Sequence, residues 1–212
     1  MFAINHAATA LIIKKEFIHV PIVWLLISVQ FMEILWVLLN FLGVERTTTE
    51  REVRYVGDIH LSFMPFSHSI LTMIGVALLA WLVLGKGLGL PGAGMAVGIG
   101  VMSHLILDLI THSKDMVIAP LMKSPKFGLG LYAKHPIVAF ILEIGYGIVC
   151  WWIYRGSWAL LSIIVIFNLT NISMFFSAVT GIEKYMANRP RLITTVILAQ
   201  ILVTLTLVGI LS

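Results

Sequence analysis

The sequence predicts an all-α fold: a polytopic transmembrane helical bundle of six long spans plus a short inserted N-terminal helix, forming a single transmembrane domain over residues 1–212. Three observations predict it. Hydrophobic residues make up 59% of the chain and charged residues only 11%, and the mean hydropathy is +1.01, beyond soluble usage. The apolar residues fall in runs of about 20, the length that crosses a hydrocarbon core of about 30 Å at about 1.5 Å per residue. The basic residues lie between those runs, as in the cytoplasmic loops of membrane proteins. A soluble globule or a disordered tail would need charges that this chain lacks.

Residues 2–13 are apolar but too short to span, and they close on Lys14, Lys15 and Glu16. A cleavable signal carries its positive charge before the apolar stretch, so this segment reads as a short, partly inserted helix. The long spans follow at 20–41, 65–84, 91–110, 136–154, 158–179 and 192–211. Pro65 suits a first helical turn, and Ser67 or Ser69 can serve nearby backbone donors. The glycines of 84–100 (among them Gly85, Gly94, Gly98 and Gly100) lack the strand context of a phosphate loop and indicate close helix packing. Trp151, Trp152 and Trp158 mark a membrane interface.

The loops at 42–64, 111–135 and 180–191 share one side. That side holds ten of the 14 Lys and Arg residues (Arg46, Arg51, Arg54, Lys114, Lys123, Lys126, Lys134, Lys184, Arg189 and Arg191). It is therefore expected to be cytoplasmic in a multi-pass inner (plasma) membrane protein. The net charge of +4 reports this topology, and no nucleic acid partner is expected. Cys150 is the only cysteine and lies in an apolar run, so any metal must use His and carboxylates.

An ionisable side chain inside a span is costly unless paired, which makes each one a functional candidate. His68, His104, Asp108, Glu143 and Glu33 all fall in the cytoplasmic half of their spans, about 5 to 15 Å deep at about 1.5 Å per residue. His6 joins them if the first helix starts on that side. His104, Asp108 and His112 stand at i, i+4 and i+8, along one helix face. Imidazole nitrogen and carboxylate oxygen suit zinc and similar divalent ions, whose charge offsets the buried carboxylate. A buried His–Asp hydrogen-bonded pair is the structural alternative. Glu33 and Glu143 are candidates for taking a proton, against structural carboxylates satisfied by partners. Asp58 and His60 read as solvated loop residues, with Asp58 and His112 as candidate additional ligands. Lys114, Lys134 and His135 near the same mouth can meet a phosphate or simply mark the cytoplasmic side.

In order along the chain stand Asn5-His6, Glu33, Ser67-His68-Ser69, and Ser103-His104 with Asp108 and Thr111. This arrangement, over about the first 120 residues, resembles the predicted membrane-bound metal-dependent hydrolases of bacteria and archaea. That family carries an early helix histidine, an acidic motif, Thr-His-Ser and HxxxDxxT. It is also distantly similar to zinc-dependent phospholipase C. The resemblance implies that His6, Glu33, His68, His104 and Asp108 form a metal site, with hydrolysis of a lipid or other membrane substrate as the activity. The family's Pro-Asp-x-Asp is here Phe31-Met32-Glu33-Ile34, and its His-Arg-Gly is Phe63-Met64-Pro65. One carboxylate and a cationic cluster are thus missing, and His112 and Glu143 are candidate replacements.

The expected function is a membrane-embedded hydrolase holding one or two divalent ions, zinc first among them. It would act on a lipid or other membrane-associated phosphoester through metal-activated water. Membrane lipid is the expected partner, and a second copy or a membrane-complex partner is a further candidate. Two other classes stay open: a metal or proton transporter, which would need polar residues continuing to the far side, and a non-catalytic subunit of a larger membrane complex.

Overall fold

A computed structural model of the chain describes residues 1–122 and 125–212. Lys123, counted above among the cytoplasmic charges, lies outside the described residues. The elements are α1 (Ala3–Glu16), α2 (Ile22–Phe41), a small antiparallel hairpin of β1 (Arg46–Thr49) and β2 (Ile59–Phe63), α3 (Ile70–Ala80), α4 (Pro91–Thr111), the one-turn α5 (Leu131–Lys134), α6 (Pro136–Tyr154), α7 (Trp158–Thr170) and α8 (Pro190–Leu211). The π-helical segment Trp81–Gly87 extends α3. Three of these helices, α4, α6 and α8, carry proline in the first turn. Its missing N–H costs nothing there and its fixed φ favours the helix.

Among the described residues five helices are long and apolar enough to cross a membrane: Ile22–Phe41, Ile70–Gly87, Pro91–Thr111, Pro136–Tyr154 and Pro190–Leu211. The fifth expected span, 158–179, is corrected. Its helix stops at Thr170 after 13 residues. Asn168 and Asn171 turn their amides onto the helix's own carbonyls, Ile164 at 2.9 Å and Phe167 at 2.8 Å, the local competition by which asparagine unsettles a helix end. Residues 172–174 form a 3₁₀ turn, and Phe175 then packs against Phe2, Tyr132 and Phe140. The expected start at Pro65 is corrected too. Residues 65–68 form a turn and α3 begins at Ile70, capped by Ser69, whose side chain accepts from the Thr72 N–H at 3.4 Å.

The short first helix lies at the centre of the bundle, packed against α2, α4, α6, α7 and α8. Ile4, Asn5, His6, Ala7, Ala8, Ala10 and Leu11 are all buried. A helix buried on all its faces is a core helix, and its alanines let neighbouring backbones come close. Glycines on the facing helices do the same. A Cβ at Gly147 on α6 would stand 2.8 Å from Asn5 Oδ1, and one at Gly94 on α4 would stand 2.8 Å from the Gly85 backbone nitrogen. Gly98 likewise faces Ala77, whereas Gly92 has open space, so the packing role belongs to part of the glycine-rich stretch.

Residues 117–118 meet the start of α3. Val117 and Ile118 accept the Ile70 and Leu71 amides at 3.0 and 2.9 Å, and the Val117 amide donates to His68 at 3.2 Å. These bonds satisfy helix-terminal donors that would otherwise be orphaned, and they hold His68 beside the end of α4.

Gly94→Ala should destabilise the protein by about 1–3 kcal/mol, because the opposing contact is backbone and cannot rotate away. Gly75→Ala on α3, where nothing lies within 4 Å, should be neutral or slightly stabilising. Thermal unfolding in detergent of both variants checks the pair.

Candidate metal centre

Asp108 is the hub. It sits fully buried one turn after His104 on α4, where the i, i+4 spacing brings the His104 Nε2 to 2.8 Å from Asp108 Oδ2. The core helix α1 adds His6, with Nε2 at 3.3 Å from Oδ1. The turn before α3 adds His68, with Nε2 at 3.4 Å from Oδ2. His112 is the C-cap of α4, with extended backbone, so it does not continue the helix face as the spacing predicts. Its Nε2 still reaches 3.7 Å from Oδ1. Glu33 on α2 approaches from the other side, with Oε1 at 3.8 Å from His104 Nε2 and 3.9 Å from His68 Nε2. The Met1 amino group donates to Asp108 Oδ1 at 2.6 Å and to Thr111 Oγ1 at 3.0 Å.

The imidazoles form two stacked pairs around this carboxylate. His6 lies on His104 with centroids 4.2 Å apart, and His68 on His112 with centroids 5.3 Å apart. Two groups able to hold a metal ion result: His6, Glu33, His104 and Asp108, and His68, Asp108 and His112, with the ligand atoms of each group within 4.8 Å of one another. Asp108 belongs to both.

The residues fit a divalent cation by a further test. The Nε2 atoms of His6, His68 and His104 and the Oδ2 of Asp108 are buried and make no hydrogen bond among the described residues. The 2.8 Å contact between His104 and Asp108 is close without being aligned as a hydrogen bond. Buried polar atoms are ordinarily paired, and these converge on one point. The opposite faces of His104 and His68 are held, whereas His6 Nδ1 is also without a partner among the described residues. His104 Nδ1 donates to the Val29 carbonyl at 3.2 Å. His68 Nδ1 meets Ser67 Oγ at 2.9 Å, and that hydroxyl donates to Glu45 Oε2 at 2.5 Å, so it accepts from the imidazole. Both rings thereby keep the proton on Nδ1 and present a bare Nε2, the second-layer arrangement that orients metal-ligating histidines.

Glu45 is the residue that sequence reasoning misses. It is buried, and it also accepts the Phe66 and Ser67 amides at 2.9 Å each. It stands in the loop after α2 beside Arg46, where its charge reads as a solvated loop residue. The partner it needs is 22 positions away, so no local signal marks it.

The other expected site residues lie apart from Asp108. Glu143 on α6 is buried and accepts from Asn5 Nδ2 and the Tyr132 hydroxyl, while Asn5 also donates to Asn168 at 3.0 Å. Burial, reinforced by the adjacent Glu143 carboxylate, pushes the Tyr132 phenol well up, so it stays a donor. Asp58 is held by Arg54, through the backbone N–H at 2.9 Å and Nε at 3.3 Å, and is not in either ligand group. His60 pairs with Glu50 at 2.9 Å. Lys114 and His135 are exposed, and the exposed Lys134 donates to the Leu129 carbonyl at 2.8 Å. These three are not among the described residues lining the cavity that opens onto the cluster. That cavity, of about 370 Å³, is lined by Glu33, His68, His112 and Asp115, by Asn171 and Gln200, and otherwise mainly by apolar side chains, those of α8 foremost.

Ser67→Ala removes the link from Glu45 to His68 and should lower divalent-metal affinity about 10- to 100-fold with the helix content unchanged. Titration of apo-protein with zinc, alongside circular dichroism, checks it. Comparison with curated proteins and with solved structures gave no significant match. A family model described as the YdjM inner membrane protein matches residues 17–181, from just after α1, so Glu33, His68, His104, Asp108, His112 and Glu143 lie within the match and His6 before it. The chain belongs to the YdjM inner membrane protein family.

Proposed function

We propose that the protein is a membrane-embedded, metal-dependent hydrolase acting on a lipid or other membrane-associated phosphoester, with its site facing the cytoplasm. The observation that carries this reading is the sharing of Asp108 between two ligand groups whose imidazole nitrogens are buried and unpartnered. Such an arrangement would suit divalent ions, zinc by the chemistry of its ligands. His6, His104 and Asp108 would hold one ion, and His68, His112 and Asp108 another. When bound, the ions lower the pKa of water toward 7 and offset charge on the attacked group.

Glu33 takes the proton. It faces the cavity, and its side chain at 13% exposure is more open than that of Asp108, His6, His68 or His104, so an incoming water can reach it. Glu143 is assigned a positioning role in place of proton transfer, because its two oxygens are taken by Asn5 and Tyr132. It fixes α1 next to His6, and it fixes Tyr132, whose ring lies 6.4 Å from that of His112. Transport is the weaker reading: around the other half of α1, Leu25, Leu26 and Leu160 pack with Ala10 and Leu11 in an apolar core. The distribution of Lys and Arg supports the cytoplasmic orientation.

Purified wild-type protein is expected to carry two divalent ions and to release a phosphorylated or dephosphorylated product from membrane lipid extract. Asp108→Asn should lose both ions and the activity, and His112→Ala should lose one ion. Elemental analysis with product mass spectrometry reads both, and full metal retention in Asp108→Asn would overturn the proposal.

A further inference from the structure

The cavity leading from the cluster has a wall that hydrolysis alone does not explain. Ile193, Ile197 and Ile201 on α8 line it at i, i+4 and i+8, a straight apolar strip of about 12 Å at about 1.5 Å per residue. Met174 and Met186 close it with side chains that adapt to an irregular guest. Trp36 on α2 also lines it. This tryptophan is 1% exposed, yet its Nε1–H has no partner among the described residues, although a buried indole N–H normally finds one. Trp36 stands one helical turn from Glu33, about 4.5 Å along the α2 axis. An unpartnered donor therefore belongs to a lining residue one turn from Glu33.

We propose that this cavity binds one acyl chain of an ester-linked lipid, with the chain along Ile193, Ile197 and Ile201 and the acyl ester carbonyl accepting from Trp36 Nε1–H. The inference rests on the proposed hydrolase in one respect, the placing of the lipid's phosphoester at the His/Asp cluster. The spacing suits a glycerolipid, in which a short polar backbone separates the phosphoester from the first acyl ester. The volume of about 370 Å³ is at the low end of the range of about 300–1,000 Å³ for ligand pockets. It accepts one chain, and a second chain stays in the bilayer.

The test measures binding of 1-palmitoyl lysophosphatidic acid and of its 1-hexadecyl ether analogue to the purified full chain in detergent, with metal content determined on the same samples. Wild type should prefer the ester about 3- to 10-fold, the worth of one neutral hydrogen bond. Trp36→Phe, which keeps most of the ring volume, should bind both equally. Ile197→Trp, which fills the strip, should weaken both about 10-fold or more with metal content unchanged. Equal binding of ester and ether by wild type overturns the carbonyl contact, and wild-type affinity in Ile197→Trp overturns the chain placement. If Ile197→Trp does not fold, Trp36→Phe decides alone. Ester preference and its loss in Trp36→Phe, found in protein that holds no metal, would overturn the hydrolase and leave the acyl site standing.

Discussion

The arrangement of the molecule depends on one buried carboxylate. Asp108 is fully inaccessible inside an apolar bundle, where an ionised group is costly unless opposite charge or hydrogen-bond donors surround it. Four imidazoles and the Met1 amino group crowd it, within 2.6 to 3.7 Å. Those groups come from α1, the turn before α3, α4 itself and its C-cap. Irregular structure, including the turn at residues 65–68 and the Val117 amide that holds His68, serves to bring a side chain to that point.

Close packing makes the convergence possible. The central helix is only 14 residues long, and its alanines, with Gly147 on the facing α6, let neighbouring helices approach it closely. Gln30 on α2 pins its start by donating to the Ala3 carbonyl at 2.5 Å. Asn5 and His6 are adjacent, so α1 presents an amide to Glu143 and an imidazole to Asp108 with one short stretch of chain. The two polar networks are thus coupled mechanically through α1: the Glu143–Asn5–Tyr132 cluster sets the helix's rotation, and that rotation aims His6.

Some of this was legible in the residues and some was not. The bounds of α2, α4 and α6 follow from apolar run length and from Pro91 and Pro136, since both signals are local. Glu33, His68, His104 and Asp108 stand out because ionisable groups in apolar runs are rare, and counting depth along a helix places them at one level. The failure of the 158–179 run is also physical. Hydropathy registers Phe175 and Phe176 as span residues, but they pack on Phe2, Tyr132 and Phe140 in an aromatic cluster that begins only after the helix has ended at Asn171. Glu45 gave no signal, because a loop glutamate is informative only when its buried partners are known.

Composition and periodicity determined that this chain is a helical membrane protein with titratable groups concentrated in one half, because a lipid environment tolerates few polar residues and each exception is conspicuous. Tertiary structure alone decided that the short first helix is the central one, that Asp108 is shared between two sets of histidines, that Glu143 faces a separate network, and that the cluster opens onto a largely apolar cavity. Those facts depend on helix rotation and on contacts between residues more than 100 positions apart, and the rotation of each helix is fixed by its neighbours.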